Sequence, residues 1–243
     1  MGVRTSISSV ASETGPLLIQ YLKDRGVYDP RSEAVVCYGS PVDAPKSLNS
    51  KCARGKIYNL KAMTKAGVSL IPWFEGNRIP DGIKFPLLAR QKHGHGGTDI
   101  VPVFQRKEVE WRVKAGWEWF SSYIPVETEY RVWAFRGEIL DTYEKKMVRP
   151  EDYKYIGRNF RNGFDFVHTK NHDDASKEAI KVLKALEQDF SAIDMLRGED
   201  GKIYILEANS APGVIKSGAQ ATLGKLADRI ATWVNNGYPD AKD

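Results

Sequence analysis

Apolar and polar positions alternate along this chain with two periods, near 3.6 in some stretches and 2 in others, and the switching between them predicts a mixed helix and strand fold, α/β or α+β. A first helix is expected from Ser12 to Arg25, with Ser12 able to cap it, Leu17, Leu18, Tyr21 and Leu22 on one face, and Gly26 ending it. Ala34 to Tyr38 reads as a short buried strand. A second helix from about Arg54 to Ala66 places Ile57, Leu60 and Met63 on one side and stops at Gly67; a strand is expected at Val68 to Ile71, closed by Pro72. Beyond residue 80 strands dominate: Phe85 to Ala89, Ile100 to Phe104, and a hairpin of Glu129 to Phe135 and Glu138 to Lys146 around Arg136-Gly137. A capped helix from Asp173 or Asp174 to Leu186 follows, then a strand pair, then a helix through Leu223, Leu226, Ile230 and Trp233.

Composition narrows the class. With 42% hydrophobic residues, 28% charged residues and no long apolar run, the 243-residue chain is expected to bury a core and to span no membrane. No secretion signal is read at the N-terminus, and two cysteines exclude a disulfide framework. Cys37 is expected in the core and Cys52 in an ordinary loop, both reduced, in a cytoplasmic protein. No cysteine spacing suits zinc. The net charge of +5 permits an anionic substrate or nucleic acid without demanding either.

The most informative stretch is Phe190 to Leu196, a turn around Gly198-Glu199-Asp200-Gly201, and Ile203 to Asn209. A hairpin turning over Glu199 to Lys202 sets Asp194 opposite Glu207, with Asn209 on the same face. Two opposed carboxylates repel unless a cation lies between them. Three oxygen ligands on one rigid face, completed by phosphate and water, suit Mg²⁺ beside a nucleotide; the alternative is a pair of solvated strand-end carboxylates. A slip of one residue would split the set between faces.

Phe85 to Ile100 forms a strand ending in Arg90 and Lys92, followed by a loop with Gly94, Gly96 and Gly97. Such a loop lets backbone N–H groups approach phosphate, although it matches neither a Walker sequence nor the dinucleotide fingerprint. His93 and His95 are candidates for substrate or phosphate contact, or are simply solvated. A third set is cationic: Arg131, Lys145, Lys146, Arg149, and Arg158-Asn159-Phe160-Arg161-Asn162, which suit an anionic substrate or phosphate contacts to nucleic acid. Trp111, Trp117, Trp119 and Trp133 read as core or interface packing rather than stacking platforms.

Taken in order, these motifs resemble the ATP-grasp superfamily of carboxylate–amine ligases from Leu48 onward, in particular its glutamate-ligase-like members and small ATP-grasp proteins predicted in tailed phages. Lys56, ahead of Ala66-Gly67-Val68 and Pro72, is similar to that family's first nucleotide lysine. Phe85-Pro86-Leu87-Leu88-Ala89-Arg90 resembles its Phe-Pro-hydrophobic-Lys strand, with arginine in place of lysine. Ser121, Ser122 and Tyr123 stand in the adenine hinge without the usual Gln-Glu pair, leaving the ribose contact open between Ser122 and Glu127. Glu129-Tyr130-Arg131-Val132 looks like the strand whose arginine faces the reaction centre, and Arg158 to Asn162 is similar to the family's Arg-Ser-Asn segment. Asp194, Glu207 and Asn209 fall where magnesium ligands are kept.

The resemblance implies an ATP-grasp fold of two α/β subdomains clamping a nucleotide. A reduced N-terminal βα unit would occupy 1–48, the small subdomain 49–125 and the large subdomain 126–243. It implies ATP and two Mg²⁺ ions held by Asp194, Glu207 and Asn209, with nucleotide contacts from Lys56, Arg90, Gly94, Gly96, Gly97, Ser121, Ser122, Tyr123 and Lys145. Catalytic contacts would come from Arg131, Arg158, Arg161 and Asn162, and substrate contacts from His93, His95 and Arg149. The implied reaction activates a carboxylate as an acylphosphate and transfers it to an amine, both substrates being small molecules or peptides, in the cytoplasm, or the host cytoplasm for a phage protein. A phosphotransferase, and a nucleotide or nucleic-acid binding module without chemistry, are the competing readings.

Overall fold

A computed structural model describes residues 1–11, 13–91, 100–154, 156–214 and 218–240. The described chain forms three sheets. The first is parallel, in the order β1 (Arg4–Ile7), β2 (Val35–Tyr38), β3 (Ser47–Leu48), crossed by α1 (Thr14–Asp24). The second is antiparallel, in the order β4 (Trp73–Glu75), β7 (Trp119–Ser122), β5 (Leu87–Arg90), β6 (Ile100–Val103). The third, also antiparallel, runs β10 (Phe164–Thr169), β9 (Glu138–Met147), β8 (Val126–Phe135), β11 (Phe190–Gly198), β12 (Ile203–Asn209). Helices α2 (Lys56–Lys65), α3 (Arg106–Lys114), α4 (Asp173–Leu186) and α5 (Gln220–Asn235) cover them.

Most expected elements form where their periodicity places them. In α4 the buried residues are Ala175, Ala179, Val182, Leu183 and Leu186, one apolar stripe, although His172 occupies the N-cap without a side-chain bond. Asp173 and Asp174 instead put negative charge in its first turn. Arg136 and Gly137, both with positive φ, make the tight β8–β9 turn.

Four expectations change. The strand at Val68 to Ile71 is not a strand: Leu70 makes one isolated bridge to Ile205, and the strand begins after Pro72 rather than ending there, because proline serves as an entry residue with no donor to spare. Helix α3 is additional; its charged sequence buries only Val109. Glu13, not Ser12, is the N-cap of α1 and makes no side-chain bond, while Ser12 lies outside the described residues. Cys52 is in a loop but buried, packed with Cys37 and Val35.

The first sheet keeps only a small core of its own, Val35 and Cys37 with Cys52, and shares its other face with the rest of the chain. Leu18, Leu22, Val36 and Tyr38 pack with Trp133, Phe135 and Phe190 of the five-stranded sheet and with Leu223, Leu226 and Ile230 of α5. On the other face of that sheet, Leu60 and Met63 of α2 join Ile193, Met195 and the α4 stripe, with Trp119 reaching in from the four-stranded sheet. The four-stranded sheet has a small core around Phe74, Leu87, Val103, Val109 and Phe120. Among the described residues, no helix is long and apolar enough to cross a membrane.

Candidate functional site

The four-stranded and five-stranded sheets face each other across a cavity of about 580 Å³, with the head of α2 as a third wall. That size suits a nucleotide-scale ligand. The floor is the face of β8, β9, β11 and β12 that carries Trp133 and Phe190 further along, and on it charges sit in register. Asp194 pairs with Glu207 on one side and with Arg131 on the other. Glu129 is two residues from Arg131 and shares its face.

The Asp194–Glu207 pairing stands, but by a different route from a uniform hairpin. The ladder nearer the turn, Met195 with Ile205 and Arg197 with Ile203, is one residue out of step with the Asp194–Glu207 and Ala192–Asn209 pairs. A β-bulge at Leu206 restores the step, and Leu206 and Glu207 both border the cavity. Asn209 follows at the strand end and turns the chain by accepting a bond from the Ala211 N–H (3.0 Å).

On the side of Asp194 away from Glu207 lie cations. Arg131 donates both prongs of its fork to Asp194, Nε to Oδ1 at 2.8 Å and Nη2 to Oδ2 at 2.7 Å. Lys145 Nζ is 3.5 Å from Asp194 and hydrogen-bonds Glu129. Burial raises the pKa of Asp194, but Arg131 and Lys145 more than offset it and hold the carboxyl at about 2. Burial pushes Glu129 up against the opposing pull of Lys145, so of the two carboxyls flanking that ammonium, Asp194 is the one held firmly ionised. Burial lowers Lys145, and the Asp194 and Glu129 charges reverse this, leaving it raised.

Glu207 is exposed, with Lys56 Nζ at 3.9 Å from the first residue of α2. On the opposite wall Arg90 lies over the Trp119 ring, 5.1 Å from its centroid, and donates to the Ser121 hydroxyl at 3.2 Å. Leu88, Leu196 and Leu206 provide apolar lining, and Ser122, Tyr123 and Ile124, the link from β7 to β8, form one rim. Gly157, Arg158 and Asn159 form another, Arg158 Nε lying 4.0 Å from Glu129.

The structure thus gathers Lys56, Arg90, Ser122, Tyr123, Arg131, Lys145, Arg158, Asp194, Glu207 and Asn209 around one space. Ser121 lies behind the wall as the acceptor for Arg90, and Glu127 is exposed away from the cavity. Arg149, Arg161 and Asn162 are not brought to it. Arg149 stacks on Phe160 and pairs with Asp152 and Asp165; the Asn162 amide accepts from the Lys154 N–H (2.7 Å) and donates to the Gly157 carbonyl (2.6 Å), so both build the loop rather than face the cavity. Arg161 is exposed. Arg131 is engaged with Asp194 rather than extended toward an acyl group. His93, Gly94, His95, Gly96 and Gly97 lie outside the described residues. Sequence reading treats Glu129 only as part of its strand; the signal for it is the period-2 spacing from Arg131. Leu88, Leu196 and Leu206 lie within motifs read from the sequence, but as strand residues rather than as cavity lining.

Asp194, Glu207 and Asn209 are a hard-oxygen set that fits Mg²⁺. Among the described residues no three His, Cys, Asp or Glu side chains form a metal cluster, so an ion here would share its shell with phosphate or water oxygens.

No family model matches the chain. It is 23% identical over 226 residues to the D-alanine–D-alanine ligase of Clostridium beijerinckii, covering 84% of this chain and 71% of that protein. A Clostridium botulinum D-alanine–D-alanine ligase gives 24% over 222 residues with the same coverage. Among solved structures, the ATP-grasp ligase PsnB, complexed with a phosphomimetic variant of a minimal precursor, Mg and ADP, superposes with a TM-score of 0.70 over 95% of this chain and 97% of that one, at 12% identity. A RiPP-associated ATP-grasp ligase of Chryseobacterium gregarium, in complex with ADP and a leader and core peptide, gives 0.68 over 100% and 99%, at 14% identity. The D-alanine–D-alanine ligase of Bacillus anthracis gives 0.64 over 98% of both chains, at 16% identity. In sequence the chain is similar to D-alanine–D-alanine ligases, and its fold is that of the ATP-grasp ligases.

Proposed function

We propose that the chain is an ATP- and magnesium-dependent ligase that activates a carboxylate as an acylphosphate and passes the acyl group to an amine. The supporting observation is the in-register Asp194–Glu207 pair with Asn209, set in a nucleotide-sized cavity among Lys56, Arg90 and Lys145. Its relatives include ligases that join D-alanine to D-alanine and ligases solved with peptides and ADP.

In this reading Leu88, Leu196 and Leu206 enclose the base, and the backbone of Ser122 to Ile124 meets its edge. Lys56, Arg90 and Lys145 neutralise the phosphates. Magnesium, two ions in the full reading, supplies Lewis-acid polarisation of those phosphates when bound at Asp194, Glu207 and Asn209. Arg131 is a positioning residue: its fork fixes the Asp194 carboxylate. A substrate carboxylate oxygen attacks the γ-phosphorus, ADP leaves, and the amine displaces phosphate from the acyl carbon. Arg158, at the rim, stabilises the oxyanion of that second step. Enclosure between the two sheets keeps water from the activated acyl group.

Calorimetric titration of a non-hydrolysable ATP analogue, with and without Mg²⁺, tests the site. Wild type should bind in a magnesium-dependent manner and Glu207→Ala should lose that dependence. Equal binding by both proteins would remove Glu207 from the metal site and sink the reading.

A further inference from the structure

We infer that Arg131 holds the place at Asp194 that a divalent ion would otherwise take, so the cavity accepts one ion with the nucleotide and a second only after Arg131 lets go. This rests on the ligase reading, and it divides the two ions of that reading into one bound freely and one gated.

The two acidic arms of the site are unequally available. Asp194 is buried, and the Arg131 fork covers both of its oxygens, Nε on Oδ1 at 2.8 Å and Nη2 on Oδ2 at 2.7 Å. A paired fork engages the lone pairs that a metal ion would also seek. Lys145 Nζ stands 3.5 Å from Oδ1 and obstructs a further approach. Glu207 is the open arm: it is exposed, and Lys56 Nζ stays 3.9 Å away, outside hydrogen-bond distance. Asn209 Oδ1 accepts from the Ala211 N–H at 3.0 Å, and an amide oxygen has a second lone pair to offer.

The fork is held from behind as well. The Arg131 guanidinium lies over the Phe166 ring, 4.7 Å from its centroid, so it is seated between an aromatic face and a carboxylate. A guanidinium keeps its charge at any ordinary pH, so loss of a proton cannot free Asp194. Release requires the side chain to move to another anion.

Charge points the same way. Among the described residues lining the cavity, cations outnumber acids: Lys56, Arg90, Arg131, Lys145 and Arg158 stand against three carboxyls. The phosphates and a first ion fit that balance, whereas a second ion beside Arg131 meets like charge at close range. A substrate carboxylate supplies both the missing negative charge and an alternative partner for the fork. The gate would therefore keep a nucleotide-loaded, substrate-free chain short of its second ion and so guard the γ-phosphate from water.

The test counts Mn²⁺, which favours the same oxygen ligands as Mg²⁺ and whose free ion gives a paramagnetic resonance signal that fades on binding. It is titrated into the full chain in equimolar complex with a non-hydrolysable ATP analogue. Wild type should bind one ion at least about tenfold tighter than a second. Arg131→Met, neutral and of similar length, should tighten the weaker site by about tenfold or more. Arg131→Lys, charged but without a fork, should tighten it by a smaller factor, and it decides the matter where the Met variant does not fold. Two ions of equal affinity in wild type, or a weaker site that the folded variants leave unchanged, would overturn the proposal. Two equal ions on a nucleotide-bound chain remove the gate alone; absence of nucleotide binding removes the ligase reading and the gate with it.

Discussion

At the scale of residues, Asp194 and Glu207 are cross-strand partners with opposite surroundings. Asp194 is 4% exposed and neutralised by Arg131 and Lys145, whereas Glu207 faces the open cavity. Asp194→Asn would strand two buried cations with only Glu129 to balance them, at a cost of about 3–5 kcal/mol. Glu207→Gln should stay within about 0.5 kcal/mol of wild type. Urea titrations of the two variants separate these outcomes, and equal stabilities would show that the Asp194 cluster is not a structural element. The pH dependence follows with a definite sign. An Asp at about 2 in the fold, against about 3.9 in an unfolded chain, stabilises the fold above roughly pH 4 and loses that contribution as pH falls toward 2. Asp194→Asn should therefore flatten the acid limb of a stability-versus-pH curve over that window. The carboxylates were legible from strand spacing alone. Their neutralisation was not, because Arg131 and Lys145 come from strands whose neighbours in the sheet no local pattern specifies.

At the scale of elements, the loop between β9 and β10 shows where sequence reading stops. Its arginines and amides read as ligand contacts, yet Arg149 and Asn162 are used internally, and nothing in Arg-Asn-Phe-Arg-Asn distinguishes a donor turned inward from one turned out. Gly163 carries the physical consequence. Gly163→Ala meets both a positive φ and the Arg149 carbonyl, and should destabilise the protein by about 1–3 kcal/mol, read as a lower denaturation midpoint. An unchanged midpoint would mean that the loop is loosely held. The β11–β12 hairpin was legible in outline, and its bulge was not, since Leu206 reads as one more apolar residue in an apolar run. Helix α3 escaped notice because a single buried residue, Val109, gives it no stripe.

At the scale of the whole molecule, the order of motifs along the chain was more readable than the assembly of its cores. The four-stranded sheet has a small core of its own and meets the rest through Trp119 and the link at Ser122 to Ile124. Nucleotide bound between the sheets should slow amide exchange in β5 and β7 more than in β8 and β11, which are already buried centrally; uniform slowing across all four would argue against binding at that seam. The opening unit behaves differently, because α1 and the Val36 and Tyr38 side of β2 share their core with Trp133, Phe190 and α5. Tyr38 fastens it by donating to the Pro212 carbonyl at 2.6 Å, three residues past Asn209. Modularity in this chain is therefore lopsided. Trimming back to residue 49 would not isolate a catalytic half: it would strip the cover from one face of the five-stranded sheet and from α5, leaving a sticky apolar slab prone to self-association.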